Sequence, residues 1–346
     1  MQNILLLVPL VLSFLTQSPQ TPPVAPTPTP TPKPVARPTP SPRPGVKTPG
    51  VRIPIESLKP EAVFEAPGAP DWIAIDESVW VSNYPKNNVA RLDPKTNKVI
   101  EMVEVGKSPC SGLATGFGSL WVPLCGDKAL ARVDLKTGKV TATLPIGIAG
   151  SEGGLATGAG SVWLVTDKKG TLARLDPANN KVVAEIQVPA GSYTVTFGEG
   201  AVWVTGTDSH VLTRINPETN LIVETIPVGK APRFLTIGGG FIWTLNQTSG
   251  DVTKVDVKTN KVVATIEVGV PGPGGEIAYG EGSVWVTSFE FPISRIDPAQ
   301  GKVVQQFAGA GGDAIRVGLG AVWLSNIRAG NVWRLDPKRI MATVAP

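Results

Sequence analysis

The sequence predicts an all-β fold, a seven-bladed β-propeller of four-stranded antiparallel blades, and three observations support this prediction. A short apolar motif with one tryptophan, as in Gly-Ser-Val-Trp-Leu-Val at residues 160–165, occurs seven times. The steps between its tryptophans are 41, 42, 40, 40, 42 and 38 residues, and a period of about 40 with strand-like content is typical of propellers. The repeated region has no sustained helical periodicity. The blade tryptophans are Trp80, Trp121, Trp163, Trp203, Trp243, Trp285 and Trp323.

Each unit contains four strands, which we name A to D. In the second unit, strand A is the short segment 112–115, and a glycine-rich turn joins it to the tryptophan-bearing strand B. In the first unit, strand C is 89–93, and the turn 93–98 leads to strand D at 99–105. Val, Ile and Thr dominate the strands, whereas Gly, Pro, Asn and Asp dominate the breaks. The tryptophan strand is apolar at consecutive positions, which indicates burial on both faces between neighbouring blades.

Two segments are candidates for the outermost strand of the last blade. Glu61–Gly68 has the pattern of a strand D followed by the connection to a strand A, and it precedes the first unit. We therefore expect a strand from the N-terminal side to close the ring. Ile340–Val344 also resembles a strand D. The sequence does not decide which of the two is outermost.

The residues before the repeats predict export. The twelve-residue apolar run Ile4–Leu15 is shorter than the ~20 residues of a membrane span and fits a signal peptide at 1–18, with an uncleaved N-terminal anchor as the alternative. Residues 19–54 are expected to form a disordered, extended stalk, because proline lacks a backbone donor and favours polyproline II. A proline-motif ligand for another domain is the alternative. The propeller is assigned to 55–346, in the periplasm, on the cell surface or secreted.

The charge distribution narrows the class of partner. The formal net charge is +4, but residues 1–60 alone carry +5, so the rest of the chain sums to −1. Nucleic-acid binding requires a basic face, and the folded domain has no such excess; single-stranded nucleic acid at an aromatic mouth would need clustered Lys and Arg there. We expect a monomer without a membrane span in the mature domain, whose partner is a small ligand, peptide, glycan or envelope protein.

The two cysteines lie in one predicted hairpin. Pairing Leu113 with Val122 in the second unit places Cys110 opposite Cys125. Together with export, this predicts a cross-strand disulfide; the alternative is a pair of unpaired buried thiols.

Some charged residues recur in every unit and are therefore interpreted as structural. An Asp or Asn opens each C–D turn, and an Arg or Lys stands two residues before it, as a surface pair or turn brace. These basic residues are Arg91, Arg132, Arg174, Arg214, Lys254, Arg295 and Arg334.

If uniform positions hold the fold, functional residues are expected where the units differ. The position ten residues before each tryptophan, allowing one deletion in the first unit, lies where the D–A connection enters strand A. The D–A connections and the B–C loops share one face of the propeller. The mixed aromatic, acidic, amide and basic residues there suit a mouth that grips a polar ligand; ordinary loop solvation is the alternative. The ligand-binding candidates are Asp71, Trp72, Tyr84, Tyr193, Arg233, Phe234, Asn246, Glu276, Phe289, Asp313, Asn326 and Arg328.

Two kinds of reactive centre are considered at this mouth. His210, beside Asp208, can act as a general base or bind a metal, although a loop histidine is more often solvated. Asp71, Glu276 and Asp313 can meet near the axis and hold a divalent cation. We assign no catalytic residue and no cofactor beyond this possible cation. The sequence contains no nucleophile elbow, phosphate loop or zinc spacing.

The repeats resemble a known superfamily. The stretch SNYPKNNVARLDPKTNKVIEMVEVGKSP, residues 82–109, resembles YVTN-type surface-layer propellers, and the tryptophan strand is similar to that of the streptogramin B lyase-like (virginiamycin B lyase-like) propellers. The resemblance covers about 60–346. It implies the propeller fold and, for non-enzymatic members, extracytoplasmic binding or scaffolding.

The resemblance also bears on catalysis. The lyase of that superfamily uses magnesium with two histidines and a glutamate, whereas this chain has only His210. The related regucalcin and gluconolactonase propellers bind a divalent metal through Glu, Asn and Asp, and their motifs have no counterpart here. The sequence thus favours an extracytoplasmic binding or scaffold protein of the cell envelope. The alternative is a metal-dependent lyase or hydrolase that lacks the histidine pair.

Overall fold

A computed structural model describes residues 42–345. The expected signal peptide and the expected stalk up to residue 41 lie outside these residues. Two strands, β1 (Arg52–Pro54) and β2 (Ala62–Glu65), precede the first complete unit. Short 3-10 turns occupy Ile55–Ser57 and Tyr84–Lys86, and one helix, α1, spans Pro337–Ala342.

The other strands form seven sheets, each with strands A to D in order, and we number the blades along the chain. Blade 1 contains β3 (Pro70–Ile75), β4 (Val79–Asn83), β5 (Asn88–Asp93) and β6 (Lys98–Glu104). Blade 2 contains β7 (Ala114–Gly116), β8 (Ser119–Leu124), β9 (Ala129–Asp134) and β10 (Val140–Leu144). Blade 3 contains β11 (Leu155–Gly158), β12 (Ser161–Val165), β13 (Thr171–Asp176) and β14 (Lys181–Gln187). Blade 4 contains β15 (Ser192–Gly198), β16 (Ala201–Gly206), β17 (Val211–Asn216) and β18 (Leu221–Pro227).

Blades 5 to 7 follow the same plan, except that the last supplies only three strands of its own. Blade 5 contains β19 (Pro232–Gly238), β20 (Phe241–Asn246), β21 (Asp251–Asp256) and β22 (Lys261–Glu267). Blade 6 contains β23 (Ile277–Gly280), β24 (Ser283–Val286), β25 (Ile293–Asp297) and β26 (Lys302–Ala308). Blade 7 contains β27 (Ile315–Gly318), β28 (Ala321–Asn326) and β29 (Asn331–Leu335). The predicted all-β seven-bladed propeller is confirmed.

A strand from the N-terminal side closes the ring, as the sequence analysis expected. Strand β2 pairs antiparallel with β29 as the outermost strand of blade 7. Its Phe64 is buried against Trp323, with ring centroids 5.6 Å apart. The competing candidate at 340–344 is not a strand D, because Asp336 caps helix α1 by accepting from the Lys338 amide, and Pro337 suits the first helical turn.

Residues 42–54, which composition assigned to the stalk, lie along blade 6. Strand β1 adds parallel to the outer edge of β26, with Ile53 opposite Phe307, and makes this sheet five-stranded. Ile53 is buried in the core shared by blades 6 and 7. This short segment is therefore part of the folded domain.

The tryptophans form the core between blades, and the recurring basic residues brace it. All seven blade tryptophans are fully buried. In blade 3, the Arg174 guanidinium lies 5.0 Å from the ring of Trp163 and donates to Pro217 O and to Asn220 of the next blade's C–D turn. Similar bonds to the next blade's C–D turn come from Arg91, Arg132, Arg214, Lys254 and Arg334, whereas Arg295 bonds within its own blade. The recurring basic residues are therefore structural.

The disulfide predicted from the hairpin register is present. Cys110 and Cys125 are bonded, with their Cα atoms 5.8 Å apart, beside the β7–β8 hairpin that pairs Ala114 with Trp121. Over residues 42–345, no helix has the length and apolar character to cross a bilayer.

Candidate functional site

One end of the channel opens into a mouth cavity of about 190 Å³. Its walls come from the D–A connections, the starts of strands A and the B–C loops, which is the face expected to vary between units. This volume is below the about 300–1,000 Å³ of pockets for drug-sized ligands, so the cavity suits a small molecule. Six of the twelve predicted ligand-binding residues line it, namely Asp71, Trp72, Phe234, Glu276, Phe289 and Asp313.

Two aromatic side chains form the floor of the mouth cavity. Trp72 and Phe234 enter from strands A of blades 1 and 5, and their ring centroids are 5.6 Å apart. Both are buried, and both also line a second cavity of about 260 Å³ within the channel. The pair therefore separates the mouth from the channel.

A pair of carboxyl groups lies above this floor. Asp71 and Asp313 both line the cavity, and their carboxyl groups are close enough for each to affect the pKa of the other. Burial and then the Asp313 carboxyl raise the pKa of Asp71 well above its usual range. Burial raises the pKa of Asp313 to about 6, although Asp71 and the Gly275 backbone oppose the shift. The pair thus retains a proton at mildly acidic pH.

Glu276 is the third acid of the predicted cation site, but it already has a cationic partner. Its carboxylate forms an ion pair with Arg316 and accepts the Ile315 amide at 3.0 Å. The side chain is buried, and burial raises its pKa while Arg316 opposes the shift. Arg316 therefore balances the charge of Glu276, and the Asp71–Asp313 pair is the acidic centre of the cavity that has no ion-pair partner.

A second cluster borders the cavity from blades 3 to 5. Arg233 donates to Glu152 at 2.9 Å and to the Tyr193 hydroxyl. Its guanidinium also lies 4.2 Å from the centroid of the Tyr193 ring, a cation–π geometry. Burial raises the pKa of Tyr193, so its hydroxyl stays protonated at neutral pH. Arg233 is thereby fixed and neutralised by Glu152.

The remaining aromatic wall comes from a B–C loop. Phe289 lines the cavity, and the guanidinium of Arg328 lies 4.7 Å from its ring centroid. Arg328 is exposed at the rim. Its charge slightly lowers the pKa of Asp313.

The other predicted site residues lie outside the mouth cavity. Tyr84 is half exposed in its 3-10 turn. Asn246 is buried and donates to Asp251 and Thr253, and Asn326 accepts the Gly312 amide, so both brace loops. His210 is exposed at a turn, where its Nδ1 contacts Thr207 O and the Ala231 amide.

Two residues of the site, Glu152 and Arg316, are not among the sequence candidates. Arg316 stands two positions beyond the compared pair in strand A, where other units have Ala or Thr, as in Ala74 and Thr236. Extending the comparison along strand A would have revealed it. Glu152 stands one position before the compared pair of the third unit, eleven residues before Trp163, so a comparison that began one residue earlier would have included it.

The acidic residues of the mouth do not form a preassembled metal centre. Among residues 42–345, no three or more His, Cys, Asp or Glu side chains are grouped to hold a metal ion. The possible divalent cation at Asp71, Glu276 and Asp313 stays a prediction. It would have to displace the proton that the aspartates retain and compete with Arg316.

Comparison with solved structures shows the fold. A streptogramin B lyase superposes with a TM-score of 0.66 and 20% identity over 78% of this chain and 94% of that chain. A catalytically inactive virginiamycin B lyase variant from Staphylococcus aureus with quinupristin gives 0.66 and 16% over 78% and 96%. Hydrazine synthase from Kuenenia stuttgartiensis gives 0.65 and 14% over 78% and 95%.

Comparisons by sequence give no match. No family model and no curated protein matches this chain. The resemblance to streptogramin B lyase-like propellers is thus shown as a shared fold. Because a lyase and a hydrazine synthase share it, the fold alone does not identify an activity.

Proposed function

We propose that this chain is an extracytoplasmic binding protein of the cell envelope whose mouth cavity binds a small cationic ligand. The observation that carries the proposal is the Asp71–Asp313 pair, two carboxyl groups that line the cavity above an aromatic floor, whereas the neighbouring Glu152 and Glu276 are each paired with an arginine. The disulfide and the apolar N-terminal run support export, because disulfides persist in oxidising compartments.

The preference for a cation follows from the charges around the cavity. Glu152 is paired with Arg233 and Glu276 with Arg316, whereas the two aspartates have only each other and the weak influence of Arg328. A bound ammonium group would replace the retained proton and let both aspartates ionise. The faces of Trp72, Phe234 and Phe289 would add cation–π attraction, worth about 0.5–2 kcal/mol each.

The binding test compares cations with neutral molecules of the same shape. We would titrate the full chain by calorimetry with choline and n-butylammonium, and with their neutral isosteres 3,3-dimethylbutanol and pentane, at pH 5.0 and pH 7.5. We expect only the cations to bind, about tenfold more tightly at pH 7.5, because protons compete with the ligand below the Asp313 pKa of about 6.

Variants locate the binding site and decide between functions. Asp71→Asn and Asp313→Asn should each weaken choline binding at least tenfold, whereas Asp208→Asn, an exposed loop carboxylate outside the cavity, should leave it unchanged. Equal binding of the neutral isosteres, or no binding of either cation, would overturn the proposal. Binding of Mg²⁺ instead, lost in the same two variants, would favour the competing hypothesis of a metal-dependent lyase or hydrolase.

A further inference from the structure

The residues just before strand β1 reach the wall of the mouth cavity. Arg43 has only 8% of its side chain exposed, and its Nε donates to Pro271 O at 3.0 Å. Its Nη2 donates to Pro273 O, and its Nη1 forms an ion pair with Glu290. The guanidinium fork thus binds two backbone carbonyls and one carboxylate at once, which a lysine cannot do.

The segment that Arg43 grips, 271–275, is here named the mouth loop. Pro273, Gly274 and Gly275 line the mouth cavity. Gly275 has a φ of +80°, and a Cβ there would lie 1.9 Å from Thr287 O, so only glycine fits. Gly275 and Asp313 line the same cavity, and the Gly275 backbone opposes the rise that burial causes in the Asp313 pKa. The position of the mouth loop is therefore linked to the proposed ligand-binding carboxyl pair.

Few other hydrogen bonds hold the mouth loop. Gly272 donates to Gln247 O at 2.7 Å, and the Gln247 side chain donates to Gly274 O at 3.2 Å. Pro271 and Pro273 have no backbone N–H, so neither can anchor the loop by donating a backbone hydrogen bond. Their carbonyl groups both accept hydrogen bonds from Arg43, which lies outside the mouth.

The segment that carries Arg43 is anchored separately on blade 6. Gly45 donates to Gly269 O at 2.8 Å, and the Val46 amide donates to the Gln306 side chain at 2.7 Å. Beyond them, the Gln306 amide donates to Val51 O at 2.7 Å, and β1 pairs with β26. Removal of the Arg43 side chain should therefore leave the rest of the segment docked.

We infer that residues 43–54 form a strap that positions the mouth loop, with Arg43 as its positioning residue. Docking of the strap on blade 6 thereby sets the shape of the mouth cavity, and its consequence for ligand binding rests on the function proposed above. A segment assigned by its sequence to a spacer is then a part of the site. Forces or partners that detach the strap would open the mouth loop.

Amide hydrogen exchange of the full chain tests the strap without any ligand. In Arg43→Ala we expect the Gly272 amide, which donates to Gln247 O, to exchange at least tenfold faster, with the Gln306 amide unchanged because β1 stays paired. Arg43→Lys should give an intermediate increase, since it keeps the charge beside Glu290 but not the fork. Lys47→Ala, an exposed residue of the same strap, is the control. Unchanged exchange of the mouth loop in Arg43→Ala would overturn the inference.

The titration of the Asp71–Asp313 pair provides a second test of the strap. The charged groups that influence Asp313 are Asp71, Glu152 and Arg328, with Glu276 acting on Asp71. Because Gly274 and Gly275 line the cavity together with Asp313, movement of the mouth loop in Arg43→Ala should shift the Asp313 titration, as followed by carboxyl carbon NMR, and should weaken choline binding about threefold or more. An unchanged Asp313 titration would contradict the inference.

The two proposals can fail separately. Faster exchange in Arg43→Ala, in a protein that binds no cation even as wild type, would refute the proposed ligand and support the strap. Equal choline affinity and equal exchange in wild type and Arg43→Ala would refute the strap and support the proposed ligand.

Discussion

Trp72 of blade 1 and Phe234 of blade 5 meet across the channel, with their ring centroids 5.6 Å apart. They lie 162 positions apart in the chain and come from non-adjacent blades. Their contact closes the channel below the mouth and supplies the apolar floor of the cavity. The arrangement of blades in a propeller leaves an open channel along the axis. The closure seen here, which we call the plug, therefore depends on the side chains of Trp72 and Phe234.

Removing one half of the plug should join the two cavities. We expect Phe234→Ala to lower the free energy of unfolding by about 3 kcal/mol, through lost burial and an unfilled void, and to weaken choline binding at least tenfold. Phe234→Leu should lose less stability. Urea unfolding and calorimetry provide the measurements. A destabilisation below about 1 kcal/mol in Phe234→Ala would show that the floor is not packed as described.

The carboxyl pair should make the protein less stable as pH rises through 6. Because the Asp313 pKa is raised to about 6, the folded state favours the protonated form, so this contribution is present at low pH and lost as the group ionises. The loss should be on the order of 2–3 kcal/mol, at 1.36 kcal/mol per pKa unit. Urea unfolding between pH 4 and pH 7.5 measures it. Because burial also raises the pKa of Asp71, the Asp71→Asn/Asp313→Asn double variant should abolish the decline, and a decline that persists in it would assign it elsewhere.

The aspartates of the C–D turns should have the opposite effect on stability, because they make the protein more stable as pH rises. Hydrogen bonds within the C–D turns lower the pKa of Asp93, Asp134, Asp256 and Asp297. Their contribution is therefore present above the unfolded pKa near 4 and lost as pH falls below it. Stability should therefore be greatest just above pH 4, before the Asp313 contribution declines towards pH 6. Thermal unfolding across pH 3–8 would reveal the maximum, and a curve that rises steadily to pH 8 would contradict both effects.

Reduction of the disulfide should destabilise the mouth side of blade 2. The loop closed by Cys110 and Cys125 spans 15 positions, for which the chain-entropy model gives about 3 kcal/mol. The Cys110 carbonyl also accepts the Glu152 amide at 2.8 Å, so reduction should loosen the partner of Arg233. Urea unfolding with and without dithiothreitol, and with a Cys110→Ser/Cys125→Ser variant as reference, measures the loss. Coincident midpoints would rule out a structural role.

Ring closure should depend on a single side chain of β2. We expect Phe64→Ala to cost about 3–4 kcal/mol, because it opens the packing against Trp323 in the blade that is completed by two distant segments. Val63→Ala, at the neighbouring exposed position, should cost less than about 0.5 kcal/mol. Equal losses in urea unfolding would contradict closure through this strand.

Much of the fold is readable from local chemistry. The tryptophan period gives the blade number, and the turn residues give the strand boundaries. The hairpin register places Cys110 opposite Cys125. These features depend on contacts within one unit or between identical neighbours, so a one-dimensional repeat is sufficient to predict them.

The site was less predictable, since its residues come from different blades. Counting back from each tryptophan located Asp71, Phe234 and Asp313, whereas the choice of polar B–C loop residues gave Asn246 and Asn326, which brace loops. A candidate amide at a loop has the same sequence signal whether it faces a ligand or its own backbone.

The sequence by itself determined the number of blades, the face on which they differ and the disulfide, because repetition makes departures visible. Only the tertiary structure decided that β2 rather than 340–344 closes the ring, that Trp72 reaches Phe234, and that Arg43 grips the mouth loop. These outcomes depend on how the ring curves back on itself. Closure of the ring brings together side chains that are far apart in the chain, and no local pattern records their directions.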